Sequence, residues 1–379
     1  MRIFCILGTR PEAIKMAPVI RALESRADRV DLRVCVTGQH REMLDQMLGL
    51  FDIHPDIDLE LMRPNQDLAS LTSRSLVAIS EALERERPDW VVVLGDTTTT
   101  MTAAMAAFYR QIPVGHVEAG LRSFDSFQPF PEEINRRLAG AMTSFHFAPC
   151  SKARENLIAE GVQPERISVT GNTVVDAIRM ILESPPSEAA GELLADLGVV
   201  EANRDGSPSK RILLVTAHRR ESFGRPFEEL CYSLKEIADR NDDVLVVYPV
   251  HLNPNIHEPA LRILSEHPRI RLLDPLSYEP FVRLMDKSHV ILTDSGGIQE
   301  EASVVGKPML VLRDKTERPE VIEAGIGRLV GTSRRRIVAE TQRLLDDKQA
   351  YQSMARQVEL YGDGTAGEQI AEILTRRVL

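Results

Sequence analysis

Three carboxylates stand where an apolar strand gives out or a helix begins. Glu118 closes the run Val114–Val117. A carboxylate there is costly to desolvate unless it is paired or used in chemistry. Nearby Arg122 is a candidate partner, so a structural ion pair and a functional carboxylate both stand open. Asp96 follows Trp90–Leu94, within Gly95-Asp96-Thr97-Thr98-Thr99-Thr100. The threonine run marks the start of a helix, and Asp96 could cap it or turn its charge toward a ligand. Glu132 and Glu133 open a further helix after the Pro- and Phe-containing loop Phe124–Pro131. Acids in a first turn usually complement the helix dipole, but a stiff loop could hold Glu132 for chemistry. His116, inside its strand, reads as a satisfied core histidine.

The second half carries a different set. The strand Val290–Thr293 runs into Asp294-Ser295-Gly296-Gly297-Ile298-Gln299-Glu300-Glu301. The glycines let the backbone approach a ligand, and the helix start offers N–H groups to a phosphate or diphosphate. Glu301, one turn in, suits the vicinal hydroxyls of a ribose. An ordinary Ser-capped helix is the plainer alternative. His218 ends another strand and is followed by Arg219 and Arg220, cations that should lower its pKa. It could bind an anion or move a proton. His251 follows Tyr248-Pro249-Val250, and Arg318 lies in a mixed-charge stretch from Arg313 to Glu320. In the first half, Arg10 precedes Pro11 at a helix start, with Lys15 about a turn beyond. A guanidinium there is good phosphate chemistry. Together these residues describe acid/base work on a substrate that carries a diphosphate. No Ser–base pair or metal cluster stands out, and the first strand's loop lacks GxGxxG. No metal and no cofactor are expected.

The elements that position these residues alternate strand and helix. Strands are expected at Ile3–Leu7, Leu32–Val36, Trp90–Leu94, Val114–Val117, Phe145–Ala148 and Ile167–Thr170. A second set is expected at Ile212–Thr216, Val244–Tyr248, Ile270–Leu273, Val290–Thr293 and Met309–Leu312. Several are apolar at nearly every position, as parallel strands buried on both faces require. The fold class is therefore α/β, with two doubly wound, Rossmann-like domains facing across a cleft. A stretch rich in Pro, Ser and Gly, 183–209, reads as a solvated excursion between them. Pro18 should kink or break the first helix.

Bulk properties narrow the function. The 379 residues carry a net charge of −10, which argues against nucleic-acid or anionic-membrane partners. Hydrophobic residues make up 43% of the chain, enough for real cores. No apolar run is long enough to span a bilayer, and Ile3–Leu7 is too short for a signal peptide. The four cysteines are dispersed, with no CxxC, so a reducing cytoplasm is expected.

Eight ordered blocks carry a resemblance. They are GTRPEAIKMAP at 8–18, GDTTTT at 95–100, GHVEAGLR at 115–122, PEEINR at 131–136, AHRRESFG at 217–224, YPVHLNPN at 248–255, LTDSGGIQEEA at 292–302 and RPE at 318–320. The sequence closely resembles the bacterial non-hydrolysing UDP-N-acetylglucosamine 2-epimerases, over nearly the whole chain and least between Glu183 and Lys210. The resemblance implies a GT-B glycosyltransferase-like fold with domains at 1–172 plus 361–379 and at 173–360. It implies that Arg10, Lys15, Ser295, Gly296, Gly297, Glu301 and Arg318 bind substrate, with Phe281 near the uracil. Asp96, Glu118, Glu132 and His218 would surround the sugar. The implied reaction interconverts UDP-GlcNAc and UDP-ManNAc through elimination of UDP to a 2-acetamidoglucal and its re-addition. A second UDP-GlcNAc would bind as an activator at Gln39, Glu42, Gln66, Arg219 and His251, and the chain would form a homodimer. The competing readings are a hydrolysing 2-epimerase, a GT-B glycosyltransferase and a binding regulator without catalysis.

Overall fold

The computed structural model describes residues 1–38, 41–63, 66–199 and 210–376. The chain divides into two compact units, Met1–Arg179 with Tyr361–Leu379, and Met180–Leu360. The first break falls inside the helix Thr173–Glu183 rather than ahead of it, at the boundary expected after 172. The reason is packing: Val174, Val175, Ala177 and Ile178 are buried, and Asp176 accepts the Gly367 N–H of the returning chain at 2.8 Å.

In the N-terminal unit the strands are β1 (Arg2–Leu7), β2 (Asp31–Val36), β3 (Ile57–Asp58), β4 (Trp90–Leu94), β5 (Val114–Val117), β6 (Phe145–Ala148) and β7 (Ile167–Val169). They form one parallel sheet in the order β3-β2-β1-β4-β5-β6-β7. In the C-terminal unit β8 (Arg211–Thr216), β9 (Val244–Pro249), β10 (Ile270–Leu273), β11 (Val290–Thr293), β12 (Met309–Val311) and β13 (Gly327–Leu329) form a second, in the order β10-β9-β8-β11-β12-β13. Both orders reverse beside the unit's first strand, at β1/β4 and at β8/β11. Open parallel sheets bind ligands outside the strand ends at such a reversal. The strands β3 and β13 were not anticipated. Each is only two or three residues long and carries a charged residue, Asp58 or Arg328.

Local composition explains the helices nearest the reversals. The helix Thr98–Tyr109 is rich in alanine and buried through most of its length, so the helices Leu68–Glu86 and Glu132–Met142 pack closely on it. The helix Arg10–Glu24 runs unbroken through Pro18, contrary to the expected break. Gly367, on the helix Ala366–Arg376, accounts for the burial there. A methyl group on Gly367 would lie 2.7 Å from the Pro18 backbone, so the two helices touch where a side chain would not fit. The expected solvated excursion is partly ordered. Ser187 caps the helix Glu188–Asp196, and Arg283 donates to the carbonyls of Ile181, Ser184 and Pro185.

Candidate active site

In the N-terminal unit the loops after β1, β4 and β5 converge on a cavity of about 370 Å³. It is lined by Arg10, Lys15, Asp96, Glu118 and Glu132, among others. Glu118 adopts φ +59°, a conformation uncommon for a residue with a side chain, and strain of this kind gathers at functional sites. Its expected partner is not Arg122, whose guanidinium instead makes two 2.7 Å bonds to Glu160. Lys15 Nζ donates to Glu118 Oε2, and Asn172 Nδ2 donates to the same oxygen at 2.9 Å. Lys15 thus meets a carboxylate of this cavity.

Asp96 is not the helix cap; Thr97 is, accepting from Thr100 N at 3.1 Å. Asp96 is bonded by Arg136 at 2.6 Å, and its carbonyl accepts from Asn135 at 2.9 Å. Burial pushes the Asp96 pKa up; Arg136 opposes that and Glu118 adds to it. Glu132 and Glu133 separate cleanly. Glu133 is fully buried and accepts from Ser123 N, Phe124 N, Arg136 and Arg137, so it fixes the aromatic loop. Glu132 lines the cavity, and its Oε2 is buried with no hydrogen-bond partner among the described residues. His116 donates from Nε2 to the Gly95 carbonyl at 2.7 Å and is held neutral, burial lowering its pKa to about 4.

One residue that shapes the cavity escaped the sequence reading. Glu12 is buried and accepts from Gly8 N (3.0 Å), Thr9 Oγ1 (2.8 Å) and Thr97 Oγ1 (2.7 Å), tying the β1 loop to the β4 loop. Burial raises its pKa, outweighing these bonds. An acid just after a helix-initiating proline gives no local sign of such bonds. Gly8 permits the same approach. A side chain there would collide with the Thr37 and Thr99 hydroxyls, at 2.3 and 2.4 Å.

In the C-terminal unit the β8 and β11 loops meet through Asp294. It is fully buried and accepts the His218 and Arg219 N–H groups on one oxygen, both at 2.8 Å. Tyr248 holds the preceding turn by donating to the Ala217 carbonyl at 2.7 Å. The His218 ring stacks on His251 at 5.8 Å between centroids. Burial lowers the His218 pKa first, with Asp294 opposing and His251 and Arg219 contributing.

The helix Gly296–Val304 starts as expected, but Ser295 makes no side-chain cap bond, so the plain capping role is not the one it plays. Gly297 is exposed, and a methyl there would meet nothing closer than Ser295 Oγ at 4.0 Å. Glu301 accepts from Tyr278 at 3.3 Å, and Arg318 is bonded to Glu300 at 2.6 Å. Phe281 is half-buried on the helix Tyr278–Lys287. Arg219 pairs with Glu317 at 3.2 Å, beside Gly296. Gln66 accepts from Arg74 at 2.5 Å. Gln39 and the side chain of Glu42 lie outside the described residues.

The sequence profile described as UDP-N-acetylglucosamine 2-epimerase matches residues 21–375. The chain belongs to this family. It is 51% identical to the UDP-N-acetylglucosamine 2-epimerase of Escherichia coli K12, over 99% of this chain and 98% of that one. It is 52% identical to the enzyme of the same name from Salmonella typhimurium LT2, with the same coverage. Among solved structures, UDP-GlcNAc 2-epimerase from Neisseria meningitidis bound to UDP-GlcNAc is similar, with a TM-score of 0.88 and 44% identity over the whole of both chains.

Proposed function

We propose that this chain interconverts UDP-N-acetylglucosamine and UDP-N-acetylmannosamine by inverting C2, without releasing free sugar. The observation that carries the reading is the set of three carboxylates, Asp96, Glu118 and Glu132, around one cavity in a member of this family. Binding a nucleotide would not require them. The relative from Neisseria meningitidis, solved with UDP-GlcNAc, supports the substrate class.

The chemistry follows from the substrate. C2–H of an acetamido sugar is barely acidic, because no carbonyl adjoins it in the ring. As the C1–O bond breaks, its electron pair leaves on the diphosphate oxygen and C1 gains oxocarbenium character. The C2 proton then passes to a carboxylate, and the C1=C2 double bond of a 2-acetamidoglucal forms. Return of the diphosphate oxygen to C1, with a proton delivered to the other face of C2, gives the epimer. Two faces call for more than one acid/base group. Glu118 and Asp96 carry the proton transfers and Glu132 supports them. Positioned groups of this kind contribute about 10²–10⁴-fold.

The C-terminal unit holds the leaving group. Ser295, Gly296 and Gly297 receive the diphosphate at the helix start, with Arg318 adding charge, Glu301 on the ribose and Phe281 near the uracil. His218 serves the diphosphate or leaving oxygen. Charge-assisted bonds to that oxygen are worth roughly 1.5–3 kcal/mol each. A second UDP-GlcNAc acts as activator through Gln39, Glu42, Gln66, Arg219 and His251. The stacking of His251 on His218 supports a link between the two ligands. An activator-free, hyperbolic rate curve with UDP-ManNAc would count against it.

The chain works as a homodimer in the cytoplasm and supplies ManNAc units for cell-surface polysaccharide. Val77, Phe108, Tyr109, Ile134 and Leu138 are exposed apolar side chains on three helices that pack side by side, and they support a surface for a second copy. The free thiols of Cys5, Cys35, Cys150 and Cys231 suit a reducing compartment. Among the described residues no helix is long and apolar enough to cross a membrane. Incubation with UDP-GlcNAc in D₂O, followed by NMR, tests the reaction. The expected product is UDP-ManNAc labelled at C2. Free ManNAc would instead identify a hydrolysing enzyme, and no reaction would point to a glycosyltransferase or a binding protein.

A further inference from the structure

Asn172 lies far in sequence from every motif above, yet it touches the carboxylate at the centre of the proposed chemistry. It is 2% exposed and donates from Nδ2 to Glu118 Oε2 at 2.9 Å. Its amide cannot be reversed without loss, because Oδ1 accepts the Val174 N–H at 3.0 Å. The NH₂ end therefore faces Glu118, and a donor without acceptor capacity meets the carboxylate there.

Lys15 donates to the same oxygen. Two donors hold Oε2 and set it apart from Oε1. That oxygen is turned toward the Gly95–Thr97 loop, which lines the cavity. A methyl group on Gly95 would lie 3.7 Å from it.

The backbone of Asn172 is equally constrained. Its N–H donates to the Tyr361 carbonyl at 2.6 Å, where the chain returns to this unit. A side chain on Gly171 would fall 2.8 Å from the same carbonyl, so the two segments are in direct contact. Directly after Asn172 begins the helix Thr173–Glu183, along which the chain leaves the unit. Glu118, at φ +59°, is thus held by a residue fixed on both of these segments.

We propose that Asn172 is a positioning residue for the proton-transfer step, pinning Oε2 of Glu118 together with Lys15 so that the carboxylate keeps its place in the cavity lining. The proposal rests on the reading of Glu118 as a proton-transfer group. Among the described residues, the charged and titratable groups around Glu118 include Lys15 from the helix Arg10–Glu24, Asp96 from the β4 loop, Glu132 from the helix Glu132–Met142 and His116 on its own strand.

Asn172→Asp is the informative variant. It keeps an oxygen for the Val174 N–H, and so keeps the helix start, while replacing the donor to Glu118 with an acceptor. Asn172→Ala removes both, and its thermal unfolding measures what the helix start alone contributes. For Asn172→Asp the expected result is UDP affinity within about twofold of wild type and C2–H/D exchange slowed about tenfold to hundredfold. The acid limb of its kcat–pH profile should move to higher pH, because the charged form of Glu118 has lost a donor. Wild-type exchange with an unmoved profile would overturn the proposal, and so would slowed exchange with an unmoved acid limb, the mark of a purely structural role. Glu118→Gln is measured in parallel. If it exchanges normally, the proposal falls together with the reading beneath it. If it is inactive while Asn172→Asp behaves as wild type, only the role of Asn172 falls.

Discussion

Asp96 and Asp294 occupy the same place in the two units, each just beyond the strand that faces the first strand across the reversal of order. Asp96 lines a cavity and is met by the Arg136 guanidinium at 2.6 Å, side chain to side chain. Asp294 is buried and spends one oxygen on two main-chain N–H groups, drawing the β8 loop onto the β11 loop. The first arrangement leaves a carboxylate whose proton affinity a neighbour tunes. The second turns a carboxylate into a fastener and gives the ligand side of its loops to serine, glycine and histidine. The two aspartates differ in their nearest partners: a guanidinium for Asp96, and two main-chain N–H groups with the His218 ring at 3.5 Å for Asp294. On the reading above, the N-terminal unit does the proton chemistry and the C-terminal unit grips the leaving group.

Substitutions on each side should separate these roles. The largest effect is expected for Glu118→Gln, which removes a base from the N-terminal cavity. C2–H/D exchange should fall by about 10²–10⁴-fold, with UDP affinity by calorimetry within about twofold of wild type. Next is Asp294→Ala, which leaves two loop N–H groups without their acceptor. It should destabilise the C-terminal unit by about 2–4 kcal/mol in denaturant titrations followed by hydrogen exchange, and weaken UDP binding with it.

Gly297→Val sharpens the comparison further. The protein leaves room for a side chain at this position, so the melting temperature should hold. A diphosphate brought close to the backbone would not tolerate it, and UDP affinity should fall about tenfold or more. The smallest expected effect is a displacement. Arg136 counteracts the burial that raises the Asp96 pKa. In Arg136→Met that pKa should rise further, so the protonated form persists to higher pH and the acid limb of kcat moves up. An acid limb that stays in place would detach Asp96 from the rate.

Much of the fold was legible because buried parallel strands leave unbroken apolar runs. Trp90–Leu94, Val114–Val117, Phe145–Ala148, Ile270–Leu273 and Val290–Thr293 have the bounds their composition suggests. The glycines at 296 and 297 and the carboxylates at strand ends were legible for the same reason, since each interrupts such a run. The partners were not. Lys15 meets Glu118 across 103 positions, Arg136 meets Asp96 across 40 and Asn172 meets Glu118 across 54. Nothing local selects those over Arg122, which is nearer in sequence and pairs elsewhere. The bonds that Glu12 and Asp294 make were not legible either, because their partners come from other loops or from main-chain N–H groups that leave no mark in the sequence. The helix does not break at Pro18, where the helix Ala366–Arg376 from the far end of the chain packs against it.

The division of labour between the units is tested most directly by one paired measurement. UDP affinity and C2–H/D exchange are determined together for wild type, Glu118→Gln and Ser295→Ala. The account predicts that Glu118→Gln binds UDP normally and loses exchange, while Ser295→Ala binds UDP more weakly and regains most of its exchange when UDP-GlcNAc is raised to saturation. Loss of UDP affinity in Glu118→Gln, or normal exchange by it, would contradict the account.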